Sequence, residues 1–273
     1  VTRHVHSRDN PLFKSLQRLA ASSRERRARG ATLLDGPHLI EAHAQAGGVA
    51  DLLAIAQSAH ARASARALFE SVPARVRVIL DDALLGSIAQ VATPAGLLAV
   101  IPIPPAPAPP RGAETCLLLD GLQDPGNVGS ILRTAVAAGV RHVFLSRGCV
   151  FAWSPKVLRA GQGAHFSLAI HEHAALDTII ERYGGTVAAT APNGTVSIFE
   201  ADLARPVAWL FGAEGSGVSA DLAARAALRL CIPMPGPAES LNVAAAVAVC
   251  LFEQVRQQGR RVSRRDVPPS RPA

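Results

Sequence analysis

The chain has 273 residues, of which 49% are hydrophobic and 18% charged, and at this length it can bury roughly 75% of the surface its unfolded form exposes, so disorder of the bulk is excluded and no disulfide or metal staple is required. The net charge of +7 is carried almost wholly by arginine, since lysine occurs only at positions 14 and 156, and it points to a polyanionic partner. With 4% aromatic residues a base-stacking platform is disfavoured, and no apolar run reaches the about 20 residues of a membrane-spanning helix.

The charge sits at the ends. Residues 1–30 hold eight basic and two acidic side chains, and residues 256–273 hold six and one. The first residues lack the apolar run of a signal peptide. Cys116, Cys149, Cys231 and Cys250 form no CxxC pair and lie in or beside apolar stretches, as buried free thiols do. A reducing, cytoplasmic location is therefore expected.

In chain order, Asn10 and Pro11 predict the cap and first turn of a helix whose apolar positions are Leu12, Phe13, Leu16 and Leu19. Its polar face carries Lys14 and Arg18, and a basic run from Arg24 to Arg29 follows. Strands are predicted at 31–34, 49–55, 75–80 and 97–101, with helices at 37–46, 59–71 and 82–90. This alternation reads as a small three-layer α/β unit. Residues 101–110 contain six prolines and predict an extended, semi-rigid spacer.

A second alternating unit follows. Strands are predicted at 115–119, 142–145, 165–170, 186–189, 207–211 and 228–232, and a long helix at 241–258. Near-continuous apolar runs predict a mostly parallel sheet covered on both faces, whose ligands sit at the carboxyl ends of its strands. Residues 259–273 have no apolar period and predict a disordered basic tail.

Three loops carry candidate chemistry. After strand 115–119, Gly126 and Gly129 flank Asn127 at a helix start, an arrangement that offers backbone N–H groups to a polar ligand, with Arg133 farther along the helix. After strand 207–211, Gly212, Gly215 and Gly217 surround Glu214, a carboxylate suited to accept hydrogen bonds from a cation or hydroxyl. After strand 228–232, Pro233, Pro235 and Pro237 stiffen a loop suited to a flat ring, and Ser240 is expected to cap the last helix. Taken singly, each loop also reads as an ordinary connector. Neither GxGxxG nor a GK[ST] ending is present, which weakens dinucleotide and P-loop readings.

Together, Asn127-x-Gly129-x-x-x-Arg133, Gly212-x-Glu214-x-x-Gly217 and Ile232-Pro233-Met234 with Ser240-Leu241-Asn242 resemble the three motifs of the SpoU, or TrmH-type, RNA 2′-O-ribose methyltransferases of the SPOUT superfamily. The resemblance covers 112–258 well. It reaches more loosely over 1–101, where Ser7 to Pro11 with Lys14, then Asp35 and Gly36, look like a small α/β RNA-binding domain related to a ribosomal protein that binds kinked RNA. It implies an α/β chain with residues 1–101 as this RNA-binding domain, 102–111 as linker, and 112–258 as a parallel-sheet SPOUT domain with a carboxyl-terminal trefoil knot.

The same resemblance implies a homodimer, no metal, and S-adenosylmethionine held by Thr190, Gly212, Gly217, Ile232, Met234 and Leu241. Asn127, Arg133, Glu214, Ser240 and Asn242 would receive the target ribose. RNA contacts are expected from Arg8, Lys14, Arg18, Arg26, Arg27, Arg29 and Arg159. One departure stands out: family members often show Arg-Ala-Ser-x-Gly-Ala where this chain has Gly161 and Gln162 between Arg159 and Ala164. The separate amino-terminal domain favours ribosomal RNA as substrate. The alternatives are a transfer RNA ribose methyltransferase, or a non-catalytic RNA-binding or ribosome-assembly protein on the same scaffold.

Overall fold

The computed structural model describes residues 2–89, 91, 93–110 and 112–259. In its first half the elements are β1 (Thr2–Val5), α1 (Pro11–Ala21), α2 (Ser23–Arg29), β2 (Ala31–Asp35), α3 (Pro37–Gln45), β3 (Ala50–Ala56), α4 (Gln57–Ala61), α5 (Ala63–Ser71), β4 (Ala74–Leu80), α6 (Asp82–Ile88) and β5 (Leu97–Pro102). Asn10 caps α1 by accepting from the Leu12 N–H, and Phe13, Leu16 and Leu19 are buried, as their spacing dictates. The strands form one sheet in the order β1-β4-β3-β5-β2. β5 runs antiparallel to β3 and β2, and the other pairs are parallel.

Two elements were not predicted, and one predicted helix is divided. β1 is an edge strand, exposed at three of its four positions, so it has no apolar signature. The basic run is the short helix α2, capped by Ser22 and ended by Gly30 at φ 58°. The helix expected at 59–71 is two helices, because Arg62 is extended at φ −80°, ψ 126° and breaks the turn.

The second half runs β6 (Cys116–Asp120), α7 (Pro125–Ala137), β7 (His142–Leu145), α8 (Pro155–Gly161), a 3₁₀ turn (Ala164–Ser167), β8 (Ala169–His171), α9 (Leu176–Arg182), β9 (Thr186–Thr190), β10 (Val196–Ser197), β11 (Val207–Gly212), α10 (Ala220–Ala224), β12 (Leu228–Cys231) and α11 (Val243–Gln257). The sheet order is β10-β12-β9-β11-β6-β7-β8, and every pair is parallel. Both faces are covered. Leu117 and Leu119 face the main core, whereas Cys116 and Leu118 join Phe144, Leu176 and Leu210 on the other side. All four cysteines are free thiols, and burial pushes Cys116 and Cys250 up to about 12.

The strand expected at 165–170 is mostly a 3₁₀ turn. Gly163, at φ 89°, turns the chain, and His165 is drawn inward to Ala152 O at 2.8 Å. The turn also accounts for Gly161: a Cβ there would lie 2.8 Å from Cε1 of His165, so this imidazole fills the space that a larger residue would need.

The two sheets meet through specific contacts. Thr32, fully buried, donates to Trp153 O at 2.6 Å, and the Arg27 guanidinium lies 4.2 Å from the Phe151 ring centre. Pro102 completes β5 opposite Ala31, so the expected spacer begins inside a strand. Pro104, Pro105 and Pro107 then line a cavity at the joint with His43, Trp153 and Phe166. Residue 111 of the expected linker and residues 260–273 of the expected tail lie outside the described residues.

Candidate active site

Going out from β6, successive strands lie on one side as β7 and β8, while β11, β9 and β12 lie on the other. The crevice between β6 and β11 is therefore a topological switch point, where parallel sheets place ligands. The register sets Asp120 beside Gly212 at the carboxyl ends of the two strands.

Beyond Gly212 the chain folds back on itself, closed by Gly217 N–H donating to Ala213 O at 2.8 Å. A Cβ on Gly212 would fall 1.9 Å from the Gly217 carbonyl carbon, so only glycine fits. Gly215 and Gly217 take φ 90° and 68°. Asp120 pins the far end of this loop by accepting from Ser219 N–H at 3.0 Å.

At the start of α7, Asp124 caps the helix by accepting from Asn127 N–H at 2.7 Å, which fixes the backbone that carries Asn127. Gly129 has a different job from the one expected. It is buried, and a Cβ there would lie 2.4 Å from Ala160 Cβ, so it permits α7 to pack against α8. At the start of α11 the capping residue is Asn242, not Ser240. Its Oδ1 accepts from Ala244 N–H at 2.9 Å, so the helix begins two residues later than expected.

These three loops are tied by one cluster. Asn127 Nδ2 donates to Glu214 Oε1 at 2.8 Å, and Asn242 Nδ2 donates to the same oxygen at 2.7 Å and to Asn127 Oδ1 at 2.9 Å. Two cavities flank it. One, of about 650 Å³, is lined by Asp120, Gln123, Asp124, Asn127, Glu214 and Ser219. The other, of about 450 Å³, is lined by all six residues expected to hold the methyl donor, Thr190, Gly212, Gly217, Ile232, Met234 and Leu241, and also by Ser240, Arg229 and Glu239. Ala213, Glu214, Ser216, Gly217 and Val243 line both.

Arg133 departs from expectation: it is exposed and lines neither cavity. Six residues along a helix carry it about 9 Å down the axis and about 120° around it from Asn127. Ser240 reaches the second cavity but takes no part in the amide–carboxylate cluster. Cys149, near the β6 loop, donates to Leu119 O at 3.2 Å, and burial raises its thiol, which unsuits it as a nucleophile. Among the described residues no group of three His, Cys, Asp or Glu could hold a metal.

The expected RNA contacts divide. Arg8 and Arg18 are exposed, and Lys14 is exposed with Asp9 at 2.8 Å. Arg26 is 5% exposed and donates to Leu19 O and Ala20 O at the end of α1; it is an internal cap and no RNA contact. Arg27 stacks on Phe151, and Arg29 bonds Glu25 and Ser15. Arg159 is half-buried, and its carbonyl accepts from the Gln162 side chain at 2.7 Å. The sequence reading assigned no role to Asp120, Arg229 or Glu239. The signal for Arg229 was a charge inside the otherwise apolar run of β12.

The second cavity suits S-adenosylmethionine. Its volume lies in the range of small-molecule sites, Ile232, Met234 and Leu241 offer an apolar wall for a flat ring, and Arg229 and Glu239 offer both signs of charge to a zwitterionic amino-acid end.

Residues 114–252 match the SpoU rRNA Methylase family. The chain is 36% identical over 261 residues to an uncharacterized tRNA/rRNA methyltransferase of Synechocystis sp., covering 93% of this chain and 94% of that one. It is 28% identical over 252 residues to the 23S rRNA (guanosine(2553)-2′-O)-methyltransferase RlmP of Bacillus subtilis, covering 92% and 98%. Among solved structures, the SpoU methyltransferase AviRb from Streptomyces viridochromogenes in complex with AdoMet superposes with a TM-score of 0.82 at 27% identity, covering 91% and 98%.

Proposed function

The chain belongs to the SpoU rRNA Methylase family, and from that premise we propose that it is an S-adenosylmethionine-dependent methyltransferase acting on a ribose 2′-hydroxyl of ribosomal RNA. The observation that carries this reading is the cluster of Asn127, Glu214 and Asn242, which ties three separated loops around two adjoining cavities.

In this mechanism Thr190, Gly212, Gly217, Ile232, Met234 and Leu241 hold the methyl donor. When bound, it supplies a methyl group already activated on a sulfonium. The protein's task is then to position the sugar and stabilise charge. The two asparagine amides hold Glu214 through Oε1, which leaves Oε2 to accept from the ribose hydroxyl. Arg133 stabilises the developing alkoxide. A guanidinium keeps its proton and is a poor base, so the proton leaves through phosphate or water. Each pKa unit by which the cation acidifies the hydroxyl is worth about 1.4 kcal/mol.

The enzyme acts as a homodimer, and the support is α11. Its outer face carries Ala245, Val249 and Phe252, the last 49% exposed, an apolar stripe that needs a partner. The same helix packs on α7, which carries Arg133. A twofold contact through this face brings Arg133 to the cleft of the partner subunit. The carboxyl-terminal segment from β12 to α11 forms the trefoil knot of the family. Residues 1–101 bind RNA through Arg8, Lys14 and Arg18. The location is cytoplasmic, where the substrate is; among the described residues no helix is long and apolar enough to cross a membrane.

Mapping ribose methylation across the ribosomal RNA of a strain lacking this protein tests the proposal. One 2′-O-methyl mark should disappear and return with the wild-type gene but not with Glu214→Ala. An unchanged ribosomal map rejects the substrate.

A further inference from the structure

Of the described residues lining the two cavities, Arg229 is the only arginine or lysine; the other charged ones are Asp120, Asp124, Glu214 and Glu239. Arg229 is exposed on β12, beside Leu230, which is fully buried and lines the same cavity. Its backbone is fixed from both sides: Ala189 of β9 lies opposite, and Thr195 N–H donates to Arg229 O at 2.9 Å. The turn carrying Thr195 lies so close that a Cβ on Gly194 would fall 2.4 Å from the Leu230 carbonyl carbon. The guanidinium makes no ion pair among the described residues.

On the reading that this cavity takes S-adenosylmethionine, its occupant brings a sulfonium, an ammonium and a carboxylate. The carboxylates Glu214 and Glu239 repel that carboxylate. Among the charged residues of that lining Arg229 alone attracts the carboxylate, and a guanidinium fork is the side chain best matched to it. We infer that Arg229 binds the methionyl carboxylate of the cofactor. It thereby sets the preference of the cavity for the complete donor over nucleosides lacking the amino-acid end.

The test is calorimetry on the full chain with two ligands, S-adenosylhomocysteine, which has the carboxylate, and 5′-methylthioadenosine, which lacks the whole amino-acid end. Arg229→Met is expected to weaken the first by about tenfold or more, the usual scale for losing a hydrogen bond to a charged group, and to leave the second unchanged. Arg229→Lys, which keeps the charge and loses the fork, should fall between. Equal losses for both ligands, or no loss for either, overturn the assignment. So does a variant that binds both normally but binds ribosomal RNA less tightly, which would give Arg229 to a phosphate. A wild-type chain that binds neither ligand rejects the cofactor reading itself.

Discussion

Asn127 and Glu214, 87 residues apart in sequence, meet at 2.8 Å, the amide of one donating to the carboxylate of the other. The bond spans the two strands at the switch point, and Asn242 closes it into a triangle. Glu214→Ala removes the acceptor of two amide bonds and the group facing both cavities. Because Glu214 is exposed, stability should change by less than about 1 kcal/mol. The single-turnover rate of methyl transfer should fall by about a hundredfold or more, with S-adenosylhomocysteine affinity nearly unchanged. Loss of affinity as large as the loss of rate would move Glu214 from the ribose to the cofactor.

Arg133 gives the sharpest test of the dimer. Arg133→Ala alone should abolish methyl transfer while S-adenosylhomocysteine binding, read by calorimetry, stays as in wild type. Its position on the outer surface of α7 adds a second outcome. Mixing the inactive Arg133→Ala and Glu214→Ala chains, then allowing subunits to exchange, should restore activity, because a mixed dimer has one cleft with both groups intact. A mixture as dead as its parents would place both residues in the cleft of one protomer.

The parallel sheet was legible because β6, β11 and β9 are apolar runs bounded by glycine and polar turns, and such runs have few other readings. The cluster residues were legible through motif spacing, which fixes chain positions but no directions. Spacing therefore grouped Arg133 with Asn127, although the helical period turns them apart. Ser240 was expected as the cap because serine caps well, but asparagine does so equally, and the structure gives the role to Asn242. Arg26 was read as surface because its neighbours are basic, and nothing local reveals that the end of α1 folds over it. Gly129 was read as an opening toward ligand, whereas the contact that requires glycine comes from Ala160 of α8.

Gly212→Ala separates steric need from backbone strain. The added methyl would sit 1.9 to 2.1 Å from backbone atoms of Gly217 and Val218, so the loop must move. Overpacking of this kind costs roughly 1–3 kcal/mol, seen as a lower thermal midpoint, and the displaced loop should lose cofactor affinity by more than about tenfold. Gly215→Ala is the control. Its φ of 90° is unfavourable for alanine, yet nothing lies within 4 Å of the added methyl. It should cost about 1 kcal/mol and leave affinity intact. Equal effects at both positions would mean that the loop tolerates no change anywhere.

His165 should impose a pH dependence on stability. The ring is 1% exposed, its Nε2 donates to Ala152 O at 2.8 Å, and its Nδ1 has no partner among the described residues. Burial holds it neutral and pushes its pKa down from 6.5 to about 4. The unfolded chain therefore binds more protons than the folded one between these values. The stability His165 contributes is complete above about pH 6.5 and is lost as pH falls toward 4, by on the order of 3 kcal/mol in all. His171 is also pushed down to about 4 by burial and by His142, so the wild-type slope contains both. The decisive comparison is wild type against His165→Gln, which keeps a donor for Ala152 and does not titrate. Urea unfolding at pH 7 and pH 4.5 should show a smaller loss on acidification for the variant, by about 2 kcal/mol. Parallel losses in the two proteins would mean that this ring is protonated, or solvated, in the folded state.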